Sequence, residues 1–126
     1  MNPISEELQP DTNALDRLIR RLREFAAARD WEQFHSPKNL SMALIVEAAE
    51  LVEHFQWLTE KQSLQLPKEK LAAVEQELAD VFIYLVRLSD RLGVDLINAA
   101  WRKIEINERK YPADQVRGKA GKSSDF

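Results

Sequence analysis

Residues 42–52, Met-Ala-Leu-Ile-Val-Glu-Ala-Ala-Glu-Leu-Val, and residues 71–85, Leu-Ala-Ala-Val-Glu-Gln-Glu-Leu-Ala-Asp-Val-Phe-Ile-Tyr-Leu, are two apolar runs with helical periodicity. Each run contains two carboxylates at i, i+3 spacing, namely Glu47 with Glu50 and Glu77 with Asp80. Ionised carboxylates are seldom buried among apolar side chains unless they are paired or bound to a metal ion. The two runs therefore predict two helices with a divalent cation between their carboxylates.

Helical wheels place these carboxylates on a common edge. Glu47 and Glu50 lie beside the apolar stripe of the second predicted helix, and Glu77 and Asp80 lie along the stripe of the third. Glu53 lies on the opposite side of its helix and is the poorer ligand candidate. Packing the two helices edge to edge would bring four carboxylates together. For any single glutamate, a solvated face of an amphipathic helix is the alternative interpretation.

The composition restricts the class of protein. The chain has 126 residues, 44% of them hydrophobic and 31% charged, with a formal charge of -3 and no cysteine. These values predict one globular domain without disulfides, thiolate metal ligands or the basic surface of nucleic-acid binders. The amino terminus has no signal-peptide pattern, and no apolar run approaches the roughly 18 residues of a membrane span. We expect a cytoplasmic protein that binds neither nucleic acid nor membrane.

Three glycines and five prolines lie where helices should end, which predicts an all-α fold with four helices. Asp11 or Asn13 would cap the first helix, and Asn39 or Ser41 the second. The predicted helices cover approximately residues 11–29, 39–59, 67–92 and 96–111, with a loop over 31–39 and a polar connection over 60–66. The domain then spans residues 11–113, and residues 1–10 and 114–126 are expected to be flexible termini.

The carboxylate set predicts a particular metal chemistry. Oxygen ligands favour Mg2+, with Mn2+ as a substitute, and a di-iron site would need Glu-x-x-His pairs that this chain lacks. Four carboxylates could neutralise two such cations, which could hold a polyphosphate and lower the pKa of a bound water. The sequence therefore predicts an enzyme acting on a phosphate ester or anhydride. A non-enzymatic helical oligomerisation module is the alternative.

Aromatic and basic residues near the carboxylates suggest what the cations would hold. Trp57 and Tyr84 extend the carboxylate faces of the second and third helices, and aromatic faces can stack on a nucleobase for roughly 1–3 kcal/mol. Core packing is the alternative for both. His35 and Trp31 could line the mouth of a pocket from the loop. Lys103 aligns on the fourth helix with Asn107 and Lys110, toward phosphate or sugar oxygens.

Four stretches resemble the all-α nucleoside triphosphate pyrophosphohydrolases, the MazG-like superfamily, and most of all its dCTP pyrophosphatase branch. The stretches are residues 25–40, 47–57, 77–86 and 103–112. The second and third carry Glu47-x-x-Glu50 and Glu77-x-x-Asp80, with 26 residues between the two pairs. The resemblance covers about residues 15–113.

This resemblance implies a four-helix MazG-like bundle that assembles as a homotetramer, a dimer of dimers, with composite sites. It implies catalysis with Mg2+ on Glu47, Glu50, Glu77 and Asp80. The base pocket would use Trp31, Trp57 and Tyr84, and the phosphate or sugar would meet Lys103, Asn107 and Arg109 or Tyr111.

The expected reaction is hydrolysis of the bond between the α and β phosphates of a deoxynucleoside triphosphate, to the monophosphate and pyrophosphate. The resemblance favours dCTP or a modified dCTP as substrate. A broad hydrolase of non-canonical nucleotides is the alternative within the same class of enzyme.

Overall fold

The computed structural model describes residues 14–125, and all regular elements in that range are helical. The α-helices are α1 (Ala14–Ala28), α2 (Pro37–Glu53), α3 (Glu60–Ser63), α4 (Lys68–Leu92), α5 (Leu96–Lys110) and α6 (Ala113–Val116). Short 3-10 helices occupy Glu32–Phe34 and Ser123–Asp125. The all-α prediction is confirmed, whereas the predicted caps Asp11 and Asn13 lie outside the described residues.

The described chain divides after Leu92 into two compact units. In the first unit α2 packs along α4, and α1 makes a smaller contact with α4. Among residues 14–92, the buried apolar side chains are Ala26, Leu40, Val74 and Val86. The second unit contains α5, α6 and the 3-10 helix that follows them. The single domain over residues 11–113 and the flexibility of residues 1–10 and 114–126 stay predictions.

Helix α2 begins earlier than the sequence suggested, so Asn39 and Ser41 are not its caps. The N-cap is Ser36, whose Oγ accepts a hydrogen bond from the backbone N–H of Asn39 over 3.2 Å. Pro37 follows at the first helical position, where its fixed φ suits the helix and its missing N–H costs nothing. Asn39 instead donates through Nδ2 to the carbonyl of Phe34 over 3.0 Å, which ties the preceding loop to α2.

Helix α2 also ends earlier than predicted, at Glu53 rather than near Thr59. Thr59 is the N-cap of α3 and forms a capping box with Gln62, so the predicted polar connection over 60–66 contains a helix. Trp57 lies in the turn between the two helices and is 86% exposed. Its predicted position on the carboxylate face of a continuous helix was therefore wrong, because the helical wheel extended beyond the last helical residue.

The later boundaries are confirmed. Helix α4 starts directly after Pro67 and ends at Leu92, followed by Gly93 with φ +68. This left-handed backbone favours glycine at a helix end. Asp95 caps α5 by accepting a hydrogen bond from the N–H of Asn98 over 3.1 Å. Within residues 14–125, no helix has the length and apolar character needed to span a membrane.

Candidate functional site

Helices α2 and α4 bring acidic side chains together at the contact between them. Glu47 on α2 and Glu77 and Asp80 on α4 each offer one carboxylate oxygen, and these three oxygens lie within 4.8 Å of one another. Glu47 and Glu77 are half-buried, whereas Asp80 is exposed. Two helices that are separated by a turn and α3 in the chain thus supply one acidic cluster.

Glu50 is not one of these three ligand candidates, but it lies close enough to Glu47 to affect its ionisation. Burial is the largest cause that raises the pKa of Glu47, to about 7, and the Glu50 carboxyl is the next. The charge of Asp80 and the carboxyl of Glu77 raise it further. Mutual repulsion of this kind is relieved when a cation binds between carboxylates.

Two oxygen atoms of the cluster are available to a positive ligand. Glu47 Oε2 and Glu77 Oε2 are buried, and neither has a hydrogen-bond partner among the described residues. A buried carboxylate oxygen without a donor is costly, and an oxygen-only donor set suits a hard divalent cation. The residues present therefore fit a bound metal ion, with Glu47, Glu77 and Asp80 as the ligands and Glu50 beside them.

The loop after α1 is held in a defined conformation. Asp30 adopts a left-handed backbone with φ +53, while its N–H donates to the Ala27 carbonyl over 3.1 Å and the N–H of Trp31 donates to the Ala26 carbonyl over 2.9 Å. This is the Schellman pattern of helix C-termini. Gln33 donates through Nε2 to both the carbonyl and the carboxylate of Asp30. The pattern fixes the direction in which Trp31 leaves the helix.

A cavity of about 300 Å³ adjoins the acidic cluster, and Asp80 belongs to both. Its walls come from α1, the loop and α4. They are Leu22, Phe25, Ala26, Trp31, His35, Asp80, Ile83, Tyr84 and Arg87. Three of the residues predicted to bind the base, Trp31, His35 and Tyr84, therefore lie around one cavity.

Aromatic contacts organise one wall of this cavity. The rings of Phe25 and Trp31 meet edge to face with their centroids 5.8 Å apart, and the imidazole of His35 lies 6.3 Å from Trp31. Burial raises the pKa of the Tyr84 hydroxyl, and the negative charges of Glu47 and Asp80 raise it further. Tyr84 therefore keeps its proton and presents a neutral donor beside the carboxylates.

The sequence did not single out Leu22, Phe25, Ala26, Ile83 or Arg87 as site residues. For Arg87 a signal exists, because Asp80, Tyr84 and Arg87 are spaced by four and three residues and so share one face of α4. The α1 residues carry no comparable signal, since their contact with the cavity depends on how α1 packs against α4.

The other predicted site residues belong to other elements of the chain. Trp57 does not line the cavity of this chain. Lys103, Asn107 and Arg109 belong to the second compact unit and are exposed on α5. Tyr111 follows them, half-buried, and its hydroxyl accepts a hydrogen bond from the N–H of Ser123 over 3.2 Å. Their proposed contacts with phosphate or sugar stay predictions.

Comparison with known proteins identifies the family. The model of the MazG-like family matches residues 42–126, and the chain belongs to that family. A solved structure of a pyrophosphatase from Archaeoglobus fulgidus is similar, with a TM-score of 0.76 and 40% sequence identity. That match covers 83% of this chain and 98% of the other.

The curated relatives point to one branch of this family. The chain is 50% identical over 111 residues to dCTP pyrophosphatase 1 of Mus musculus and 50% identical over 112 residues to dCTP pyrophosphatase 1 of Homo sapiens. Each match covers 86% of this chain. The chain spans 65% of the length of each of these relatives.

Proposed function

We propose that this protein is a Mg2+-dependent nucleoside triphosphate pyrophosphohydrolase that converts dCTP, or a dCTP modified at the base, to the monophosphate and pyrophosphate. The observation that carries the proposal is the position of Asp80, which belongs both to the acidic cluster and to the aromatic-lined cavity. A nucleotide whose phosphates lie at the cluster would thus have a neighbouring cavity for its base. The dCTP pyrophosphatase relatives support this choice of substrate.

Glu47, Glu77 and Asp80 would hold the cation, with Glu50 completing the negative charge of the site. When bound, Mg2+ would stabilise charge on the phosphate oxygens and acidify the attacking water. One of the four carboxylates accepts the proton of that water. The water oxygen forms a new bond to phosphorus, the bridging bond between the α and β phosphates breaks, and pyrophosphate leaves.

Residues of the cavity would bind and orient the nucleoside. Trp31 and Tyr84 offer ring faces for stacking, and the apolar walls exclude water from the base. Stacking tolerates any base, so selection among bases requires hydrogen bonds to the base edge. Lys103, Asn107 and Arg109 or Tyr111 would contact phosphate or sugar in the complete assembly, as the family resemblance implies.

The proposed assembly is a homotetramer built as a dimer of dimers, in the cytoplasm. Exposed apolar side chains on α2 support it, since surface of this kind is usually covered by a partner. These are Met42, Ile45, Val46 and Val52.

The decisive experiment is a panel of canonical and modified nucleoside triphosphates assayed for pyrophosphate release, with Mg2+, with Mn2+ and with excess chelator. We expect release from dCTP or 5-substituted dCTP in the presence of Mg2+, with none in chelator. Faster turnover of many non-canonical nucleotides would support the broad hydrolase instead. If no nucleotide is turned over in a metal-dependent way, the result would favour the non-enzymatic oligomerisation module.

A further inference from the structure

Arg87 is a buried cation in the wall of the cavity, with an exposed fraction of only 4%. Its Nε donates to Nδ1 of His35 over 3.3 Å, and its Nη1 donates to Oδ2 of Asp90 over 3.4 Å. The remaining nitrogen, Nη2, is buried and has no hydrogen-bond partner among the residues that the structure describes.

An unpartnered guanidinium nitrogen at this depth is unfavourable, because a buried charged donor loses its hydrogen bonds to water without replacement. The missing partner must be an acceptor, since every nitrogen of a guanidinium donates and none accepts. Asp90 pairs with Nη1 of Arg87, and its two oxygens also accept hydrogen bonds from Arg23. The ion pair with Asp90 therefore uses Nη1 of Arg87 and leaves Nη2 without an acceptor.

The position of Arg87 along α4 indicates which part of a nucleotide it would meet. Asp80, Tyr84 and Arg87 lie on one face of the helix, and at 1.5 Å per residue Arg87 is about 10 Å beyond Asp80. The phosphates belong at the Asp80 end, beside the acidic cluster. A deoxyribose separates phosphate from base, so the base belongs toward the Arg87 end.

The walls around Arg87 favour an uncharged ring over a phosphate. Leu22, Phe25, Ala26 and Ile83 supply apolar surface to the same cavity. A flat heterocycle buries well against such surface, whereas a phosphate would lose most of its hydration there. A nucleobase also carries acceptors on its edge, and carbonyl oxygens pair readily with guanidinium donors.

We propose that Arg87 is a specificity-determining residue whose Nη2 donates a hydrogen bond to a carbonyl oxygen on the edge of the nucleobase, which is O2 in cytosine. This inference rests on the proposed function and adds to it the residue that reads the base. A base without an acceptor at that position leaves the buried donor unpaired and is selected against.

The test compares dCTP with 2-thio-dCTP, in which a weakly accepting sulfur replaces O2, in the wild-type protein and in Arg87→Met. For the wild type we expect the sulfur to lower kcat/KM by about tenfold or more, mainly through KM. For Arg87→Met we expect kcat/KM for dCTP itself to fall by about tenfold or more. The values of kcat/KM for the two substrates should then be nearly equal. Steric exclusion of the larger sulfur would instead penalise 2-thio-dCTP in both proteins.

Arg23→Met is the matched control, because it removes a partner of Asp90 without altering a residue of the cavity wall. We expect Arg23→Met to keep the wild-type ratio of kcat/KM between dCTP and 2-thio-dCTP. Circular dichroism checks that Arg87→Met folds. If it does not, Arg87→Lys keeps a cation opposite Asp90 while lacking Nη2, and the same loss of discrimination is expected.

Each outcome has a defined meaning. The role of Arg87 would be overturned if the folded Arg87 variant kept the wild-type ratio of kcat/KM between dCTP and 2-thio-dCTP. It would also be overturned if the wild type turned over both substrates equally. Neither result would contradict the pyrophosphohydrolase activity. Absence of pyrophosphate release from every nucleotide by the wild type would overturn the proposed function, and this inference with it.

Discussion

Arg87 on α4 donates through Nε to Nδ1 of His35, which lies 52 residues earlier in the chain and 3.3 Å away. A guanidinium stays protonated and only donates, so Nδ1 of His35 must carry its lone pair. The imidazole is therefore neutral, with its proton on Nε2. Arg91 holds the same residue from another side by donating to the His35 carbonyl over 3.1 Å. The loop histidine is thus set as a hydrogen-bond donor beside the cavity.

We first predict that the pKa of the His35 imidazole lies below its ordinary value of 6.5. Burial lowers its pKa most, and the positive charges of Arg87 and Arg91 lower it further. Between the folded pKa and 6.5 the unfolded chain binds more protons, so the free energy of unfolding rises with pH through that window. NMR titration of the imidazole should show the lowered midpoint.

In Arg87→Met the titration midpoint of His35 should rise only part of the way toward 6.5, because the burial that lowers the pKa remains. Arg23→Met should leave it in place, since Arg23 is not among the groups that shift His35. A wild-type midpoint at or above 6.5 would contradict the neutral, Nε2-protonated histidine.

A second prediction concerns the metal ion. Mg2+ should raise the melting temperature, because it binds the folded acidic cluster and relieves the repulsion between Glu47 and its neighbours; at a hundredfold excess over Kd this contributes about 2.7 kcal/mol. Glu77→Gln should remove most of the thermal shift and the turnover. Differential scanning calorimetry with Mg2+ and with chelator measures the shift.

Glu53→Gln provides the control for charge alone, since Glu53 is exposed at the end of α2. It should retain the Mg2+ response and the activity. Equal losses in the Glu53 and Glu77 variants would mean that the wrong face of α2 has been assigned to the metal.

Trp57 gives a third prediction. This residue is 86% exposed, so a site that another subunit helps to form could use its indole as a stacking surface. We expect Trp57→Ala to raise KM for all accepted nucleotides by about tenfold, as loss of a stacked base predicts, with little change in their ranking. Trp101→Ala, which removes another exposed tryptophan, should have no such effect. Steady-state kinetics on the four common deoxynucleoside triphosphates measures both, and an unchanged KM in the Trp57 variant would remove its role.

The fourth prediction concerns assembly. Ile45 is 68% exposed on the apolar surface of α2, and a new charge there should oppose the burial of that surface. Light scattering should give a mass of about four times 14.6 kDa for the wild type and a smaller mass for Ile45→Asp. Lys119→Asp, at an exposed position of the second unit, should stay tetrameric. A single-subunit mass for the wild type at micromolar concentration would refute the tetramer.

The sequence predicted those parts of the fold in which one local signal has no competitor. Pro67 set the start of α4, and Gly93 and Asp95 set the boundary before α5. The start of α2 was missed because Ser36, Asn39 and Ser41 are all residue types that cap helices, and they lie within six residues of one another. The hydrogen bond from the Asn39 N–H to Ser36 Oγ selects Ser36, and it is visible only in the structure.

Local signals also decided which residues of the candidate site could be predicted from the sequence. The i, i+3 spacing of the carboxylates is a property of single helices, and three of the four residues that it marked, Glu47, Glu77 and Asp80, lie together in the fold. Their role as metal ligands stays a prediction. The cavity wall supplied by α1 depends on the packing of one helix against another, which helical periodicity does not specify. Trp57 was misplaced because its residue pattern continues α2 although the capping box at Thr59 begins a new helix.

Few apolar side chains are buried in the part of the chain that the structure describes, namely Ala26, Leu40, Val74 and Val86, and this has a consequence for how the chain folds. Hydrophobic stabilisation grows with the apolar area removed from water, and much of the apolar surface of α2 stays exposed in a single chain. If subunits cover that surface, folding and association become one equilibrium, and the melting temperature rises with protein concentration. The population of native molecules would then depend on how much of the protein is present.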